Sequence, residues 1–257
     1  MFPVDGYGTQ DIIRTVIKQN KIDILWIMTD PRFYDWLWDI EDEIRSTTPI
    51  VYYHTWDNYP YPTFNRSAYL SNDYIACISK LTHDIVNKVS PEVPNCYLPH
   101  SVDMSVFRKY PEDQVVSLKE QHFGKDKFLF FFNSRNARRK MTGSIVWWFS
   151  DFLNIVGKDK ALLLMHTDPK DPNGQDLEAI LYELKLINGE VRFSKNRSSP
   201  QDLAFMYNMS DCLINISDAE GFGLSCTESL ACETPAIVNM TRWPSRTNNR
   251  SEKTFLA

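Results

Sequence analysis

What most restricts the folding of this chain is its repeated exchange of two hydrophobic periods. Gln10 to Asn20 carries Ile12, Ile13, Val16 and Ile17 at helical spacing, and Ile22 to Met28 follows as a short apolar run closed by Thr29-Asp30-Pro31. The order recurs with Trp36, Leu37, Ile40 and Ile44 as a helix, Ile50 to Tyr53 as a strand ending at His54, and Tyr74 to Ile78 as another strand. Leu81 to Val89 then reads as a helix and Tyr97-Leu98 as a short strand. Strands that alternate with helices need crossover connections, so the sheet they form is parallel and covered by helices.

Between Met104 and Lys127 the pattern loosens into a polar, charged stretch, where an interdomain connection is expected. A second series restarts at the strand Phe128 to Phe132 and runs through the helix Thr142 to Val156, the strand Ala161 to Met165 and the helix Asp176 to Leu186. It continues with Val191 to Phe193, Gln201 to Met209, Cys212 to Ile216, Ser225 to Cys232 and Ala236 to Val238, strand and helix in turn. The expected fold class is therefore α/β with two Rossmann-like doubly wound domains, residues 1–107 and 108–257. Ligands of such sheets sit at the carboxyl ends of the strands.

Charge excludes one class of partner. A formal net charge of -5 leaves no broad Lys/Arg surface to displace phosphate counterions, so no nucleic acid is expected and any anion site is local. The longest apolar runs fall far short of the ~20 residues that cross a bilayer, so no transmembrane segment is expected, although peripheral membrane contact stays compatible with the chain. Five Cys without a Cys-x-x-Cys pair fit free thiols in a reducing compartment, and cytoplasmic residence is the expectation. Asn-x-Ser/Thr sequons occur, one at Asn215 inside an apolar strand, and chance explains them better than glycosylation.

The richest stretch is Ser217-Asp218-Ala219-Glu220-Gly221-Phe222-Gly223-Leu224, between a strand and a helix that carries Glu228. Gly221 and Gly223 permit close backbone approach, and the amides that open the helix face an incoming anion or sugar hydroxyl. Glu220 can accept two sugar hydroxyls and Glu228 a ribose diol. The same residues would also serve as a charge at a helix start and one solvated Glu, and their chemistry alone does not choose.

The run Glu220 to Cys232, followed by Thr234-Pro235-Ala236-Ile237-Val238, resembles the Glu-x7-Glu signature of retaining GT-B glycosyltransferases of family 4. The resemblance implies that Glu220 binds the donor sugar, that Glu228 binds the nucleotide ribose, and that Gly221, Phe222, Gly223 and Leu224 approach sugar and phosphate. A second stretch, Asn133-Ser134-Arg135-Asn136-Ala137-Arg138-Arg139-Lys140, is basic in an acidic protein and follows the strand Phe128 to Phe132, where cations can clamp a diphosphate. Residue chemistry also allows a solvated basic loop. The family's Arg-x4-Lys pair, which neutralises the leaving diphosphate, matches Arg135 and Lys140, leaving Arg138 and Arg139 as solvated cations and Asn133 and Ser134 as donor-binding residues.

His54 stands at a strand end, where a site belongs; a lone His is more often structural. The family commonly places a His-Thr-like element there facing the donor sugar, which makes His54 a catalytic candidate. The loop Trp56-Asp57-Asn58-Tyr59-Pro60-Tyr61 would either stack on an acceptor sugar or pack on its domain.

The resemblance implies an acceptor-side first domain and a donor-binding second one. It also implies transfer of a sugar from a nucleoside diphosphate sugar to a carbohydrate or other hydroxyl acceptor, with retained configuration. No cofactor and no metal are expected, since no Asp-x-Asp element is present to hold a metal-diphosphate complex. The first domain reads as partial, without the family's opening strand and glycine-rich loop, and Thr241-Arg242-Trp243-Pro244 replaces a glycine-containing turn before an absent closing helix. The alternatives are a truncated nucleotide-binding remnant without turnover, or a GT-B-like epimerase or phosphorylase.

Overall fold

The structure, a computed structural model, describes residues 6–124 and 126–239, so the Thr241 to Pro244 expectation lies outside the described residues. The chain divides into two compact units, 1–100 and 101–257. The division precedes the expected boundary at 107/108 because Phe107 is buried in the second unit's core beside Phe123, Phe131 and Tyr207.

In the first unit, α1 (Gln10–Asn20) starts where Thr9 accepts a hydrogen bond from the Ile12 amide and ends at Lys21, φ 49°. Then come β1 (Leu25–Thr29), a 3-10 turn (Pro31–Tyr34), α2 (Asp35–Trp38), α3 (Glu41–Arg45), β2 (Ile50–His54), α4 (Arg66–Leu70), β3 (Tyr74–Cys77), α5 (Lys80–Val89) and β4 (Asn95–Tyr97). The single helix expected across Trp36 to Ile44 is broken at Ile40, whose φ of -124° leaves the helical region. All four strands are parallel in the order β1-β2-β3-β4. Register aligns Thr29 with His54 and His54 with Cys77, so these strand ends form one rim.

The second unit contains α6 (Glu112–Phe123), β5 (Phe128–Asn133), α7 (Thr142–Val156), β6 (Ala161–His166), α8 (Leu177–Glu183), β7 (Val191–Ser194), α9 (Pro200–Met209), β8 (Cys212–Asn215), α10 (Leu224–Ala231) and β9 (Ala236–Val238). The expected connection between Met104 and Lys127 thus holds a helix: α6 buries Phe123 in this core, and Lys119 pairs with Asp211 at 2.5 Å. Alternation along the central strands fills both faces of the sheet. Leu129, Phe131, Leu162 and Leu164 pack on one side, and Phe132, Leu163 and Met165 on the other. The parallel order β7-β6-β5-β8-β9 places the reversal of chain progression between β5 and β8. At such a reversal the loops leaving two neighbouring strands diverge to opposite faces and open a crevice.

Candidate active site

The two loops that leave β5 and β8 carry the two sequence motifs. Lys140 ends a 3-10 turn (Arg138–Lys140), and its buried ammonium donates to Oε1 of Glu220, 80 residues further on. The same oxygen accepts from Asn215 Nδ2 at 3.1 Å and lies 3.0 Å from the Ser217 hydroxyl, while Asn215 Oδ1 accepts from the Ser217 amide at 3.2 Å. Burial works to raise the Glu220 pKa. The Lys140 hydrogen bond and charge, with Asn215 and Ser217, outweigh it and hold the carboxylate below its ordinary range. The loops are also stitched through the backbone: the Asp218 amide donates to the Arg139 carbonyl at 2.9 Å, and the Arg139 guanidinium donates to the Ala219 carbonyl. Arg139 is exposed, as Arg138 is, and its NH1 also lies 3.7 Å from Glu220.

Below this pair, α10 presents Glu228. Its Oε2 accepts from the Tyr207 hydroxyl at 2.7 Å, and that hydroxyl accepts from Asn133 Nδ2, also at 2.7 Å. Burial raises the Glu228 pKa, against the lowering effect of Tyr207. The side chain of Asn133, expected to contact a donor, is therefore turned to Tyr207. Gly223 opens α10 at φ 84°, a conformation that favours glycine, and its carbonyl accepts from the amides of Cys226 and Thr227. Gly221 and Phe222 are half-buried in the same loop and Leu224 is exposed at the helix start.

Arg135 and Ser134 lie in the loop after β5. The Arg135 guanidinium, 62% exposed, forks onto Asp171 at 2.5 and 3.0 Å. Its hydrogen bonds take the Asp171 carboxyl down to about 2. Asn136, fully buried, staples this loop to the one after β6: its Nδ2 donates to the Gln175 carbonyl at 2.7 Å, and its Oδ1 accepts from Thr142 Oγ1 at 2.7 Å and the Gln175 amide at 3.3 Å. Gly174 allows this closeness, because a Cβ there would run into the Asn136 carbonyl oxygen.

His54, the candidate for a sugar contact, belongs to the first unit. It is 0% exposed, with Nδ1 2.9 Å from the Tyr52 hydroxyl and Nε2 2.7 Å from the Tyr69 hydroxyl. Burial lowers its pKa to about 3, so the ring is neutral. The Tyr52 hydroxyl is also 2.5 Å from the carbonyl of Thr29, a β-branched residue at φ 112°. Both imidazole nitrogens are thus engaged inside the unit. In the following loop, the Tyr61 hydroxyl donates to Asp84 at 2.9 Å and Trp56 and Tyr59 pack against the core, which favours the packing alternative for those rings.

Asn215, Ser217, Arg139, Tyr207 and Asn136 were given no role from sequence. Asn215 carried a signal, a polar residue closing an apolar strand just before the Glu motif; Tyr207 carried none, being one more aromatic on a helix. Among the described residues, no three His, Cys, Asp or Glu side chains converge as a metal-binding set, and no helix is long and apolar enough to cross a membrane.

Two parallel Rossmann-like sheets give the chain an α/β fold of the GT-B type. Comparison with known proteins adds a family match: residues 152–256 fit the family described as Glycosyl transferases group 1. The alpha-monoglucosyldiacylglycerol synthase of Acholeplasma laidlawii is 25% identical over 177 residues, 67% of this chain and 43% of that protein. Its Streptococcus pneumoniae counterpart is 28% identical over 173 residues, 65% of this chain and 37% of that protein. Among solved structures, Anabaena Alr3699/HepE in complex with UDP and glucose superposes with a TM-score of 0.71 at 15% identity, covering 92% of this chain and 65% of that one. The chain thus spans less than half the length of these curated relatives.

Proposed function

We propose that this chain binds a nucleoside diphosphate sugar on its second unit and transfers the sugar to a hydroxyl acceptor with retained configuration. The observation that carries the reading is the Lys140–Glu220 pair, assembled from loops 80 residues apart at the β5/β8 reversal. In this reading Lys140 and Arg135 neutralise the departing diphosphate, Glu220 orients the sugar, Glu228 accepts the ribose hydroxyls, and Gly221 to Leu224 lie against sugar and phosphate. The acceptor oxygen attacks the anomeric carbon on the face from which the diphosphate leaves; the carbon–oxygen bond to phosphate breaks, and the acceptor proton passes to the departing phosphate oxygen. Glu220 supports front-face attack over a covalent route, because its Oε1 is already spent on Lys140, Asn215 and Ser217. Two side-chain cations supply positive charge that a divalent metal would otherwise bring, so transfer needs none.

The test is product analysis. The protein is incubated with UDP-, GDP- and ADP-glucose and an acceptor panel that includes diacylglycerol, chosen from the relatives' names, and products are read by NMR. An α-linked glycoside from an α-linked donor supports the proposal. An epimerised donor, or sugar phosphate formed when a glycoside and inorganic phosphate are supplied instead, would assign the fold to an epimerase or phosphorylase, and a β-linked product would remove retention.

A further inference from the structure

Glu228 has one side-chain hydrogen bond among the described residues, and it comes from a residue outside both sequence motifs. Tyr207 lies on α9 with its ring 0% exposed between Phe107 and Phe131, and its backbone carbonyl accepts from Thr234 Oγ1 at 2.7 Å. Ring and backbone are therefore both fixed. The hydroxyl has one proton to give. Asn133 Nδ2 donates to the phenolic oxygen at 2.7 Å, so that proton is directed to Glu228 Oε2, also 2.7 Å away. Burial, with the Glu228 charge beside it, raises the Tyr207 pKa and keeps the hydroxyl a donor. A donor bond to one carboxylate oxygen sets the carboxylate plane and leaves Oε1 as the oxygen a ligand diol can reach.

We infer that Tyr207, oriented by Asn133, is the positioning residue that turns Glu228 into a ribose-specific acceptor and thereby makes the site discriminate ribonucleotides from 2′-deoxyribonucleotides. The inference rests on the donor-site reading given above. It makes Asn133 the rear of a relay rather than a ligand contact, and it assigns sugar discrimination to a residue buried behind the pocket.

Calorimetry on the whole chain tests it with UDP, GDP and ADP, and with the 2′-deoxy form of whichever binds tightest. In the wild type the ribonucleotide is expected to bind at least about ten-fold more tightly than its deoxy form, the scale of a lost hydrogen bond to a charged group. Tyr207→Phe should reduce that ratio to about two-fold or less, with the deoxynucleotide losing less affinity than the ribonucleotide. In a Glu228→Gln background, adding Tyr207→Phe should not change the ratio further. A folded Tyr207→Phe that keeps the wild-type ratio overturns the inference alone, and so does an equal loss for both nucleotides, the mark of a merely structural role. Should Tyr207→Phe fail to fold, Asn133→Ala must lower the ratio, and an unchanged ratio overturns the inference. If no nucleoside diphosphate binds the wild type, the donor-site reading falls and this inference with it.

Discussion

His54 and Lys140 show how burial sorts two basic residues into different tasks. Lys140 is buried against the Glu220 carboxylate, to which it donates; His54 is buried between two tyrosine hydroxyls and gives its charge up. The sign for His54 follows from its folded pKa of about 3 against 6.5 in the open chain. Between those values the unfolded chain binds a proton that the folded one refuses, so stability is complete above pH 6.5 and is lost as the pH falls through the window. Urea unfolding at pH 7.5 and pH 5 should show a loss of about 2 kcal/mol from this one site, absent in His54→Gln. Equal pH dependence in the two proteins would show that His54 protonates freely in the folded state. At the other site, Lys140→Ala leaves a half-buried Glu220 without its cation, so the melting temperature should fall, and adding Glu220→Gln should recover most of the loss. No recovery in the double variant would mean that Lys140 stabilises the fold through contacts other than Glu220.

In the second unit the loop after β5 is joined to the loop after β8 by Lys140, Arg139 and Asp218, and to the loop after β6 by Asn136. Removing that side chain leaves the Gln175 amide and carbonyl without their buried partners, so Asn136→Ala should cost about 1 to 3 kcal/mol in unfolding experiments. Gly174→Ala should reproduce the loss by collision with Asn136. Wild-type stability in both would place the staple outside the stabilising core. Asp171→Asn is the opposite case. The Arg135–Asp171 fork is open to water on the Arg135 side, 62% exposed, while Asp171 is 10% exposed and accepts from the Asn173 amide at 2.8 Å, a bond an Asn side-chain oxygen can keep. Asp171→Asn should therefore move the melting temperature little and release Arg135, raising nucleoside diphosphate affinity by up to about five-fold, or about 1 kcal/mol. A fall in affinity would mean that Asp171 holds Arg135 where it works. The elements themselves were largely legible, because an apolar run such as Phe128 to Phe132, buried on both faces, must be a strand and a stripe such as Ile12, Ile13, Val16 and Ile17 must be a helix. The helix Glu112–Phe123 was not, since its surface is charged and its burial depends on Phe123 and on Lys119 reaching Asp211. Of the candidate site, the sequence singles out Lys140, Glu220 and Glu228, and the structure brings the first two into contact. The residues that hold them were hidden, because Tyr207 and Asn136 take their meaning from neighbours distant in sequence.

At the scale of the whole molecule, two separately cored parallel sheets divide the chain, and the second carries every residue of the donor-site reading. With a net charge of -5, anion binding there depends on a few placed cations rather than on a general field. Transfer should accordingly survive EDTA without added Mg²⁺ or Mn²⁺; activity lost to EDTA and restored by either ion would place a metal on the diphosphate instead. The central claim is that Lys140, paired with Glu220 at the β5/β8 reversal, marks a diphosphate site, and titration calorimetry addresses it most directly. UDP, GDP and ADP are titrated into the wild type, Lys140→Ala and Arg138→Ala, each first shown to be folded. At least one nucleotide should bind the wild type, with Lys140→Ala weakening it by about ten-fold or more and Arg138→Ala by less than about two-fold. Binding of none of the three, or equal losses in the two variants, would contradict the account.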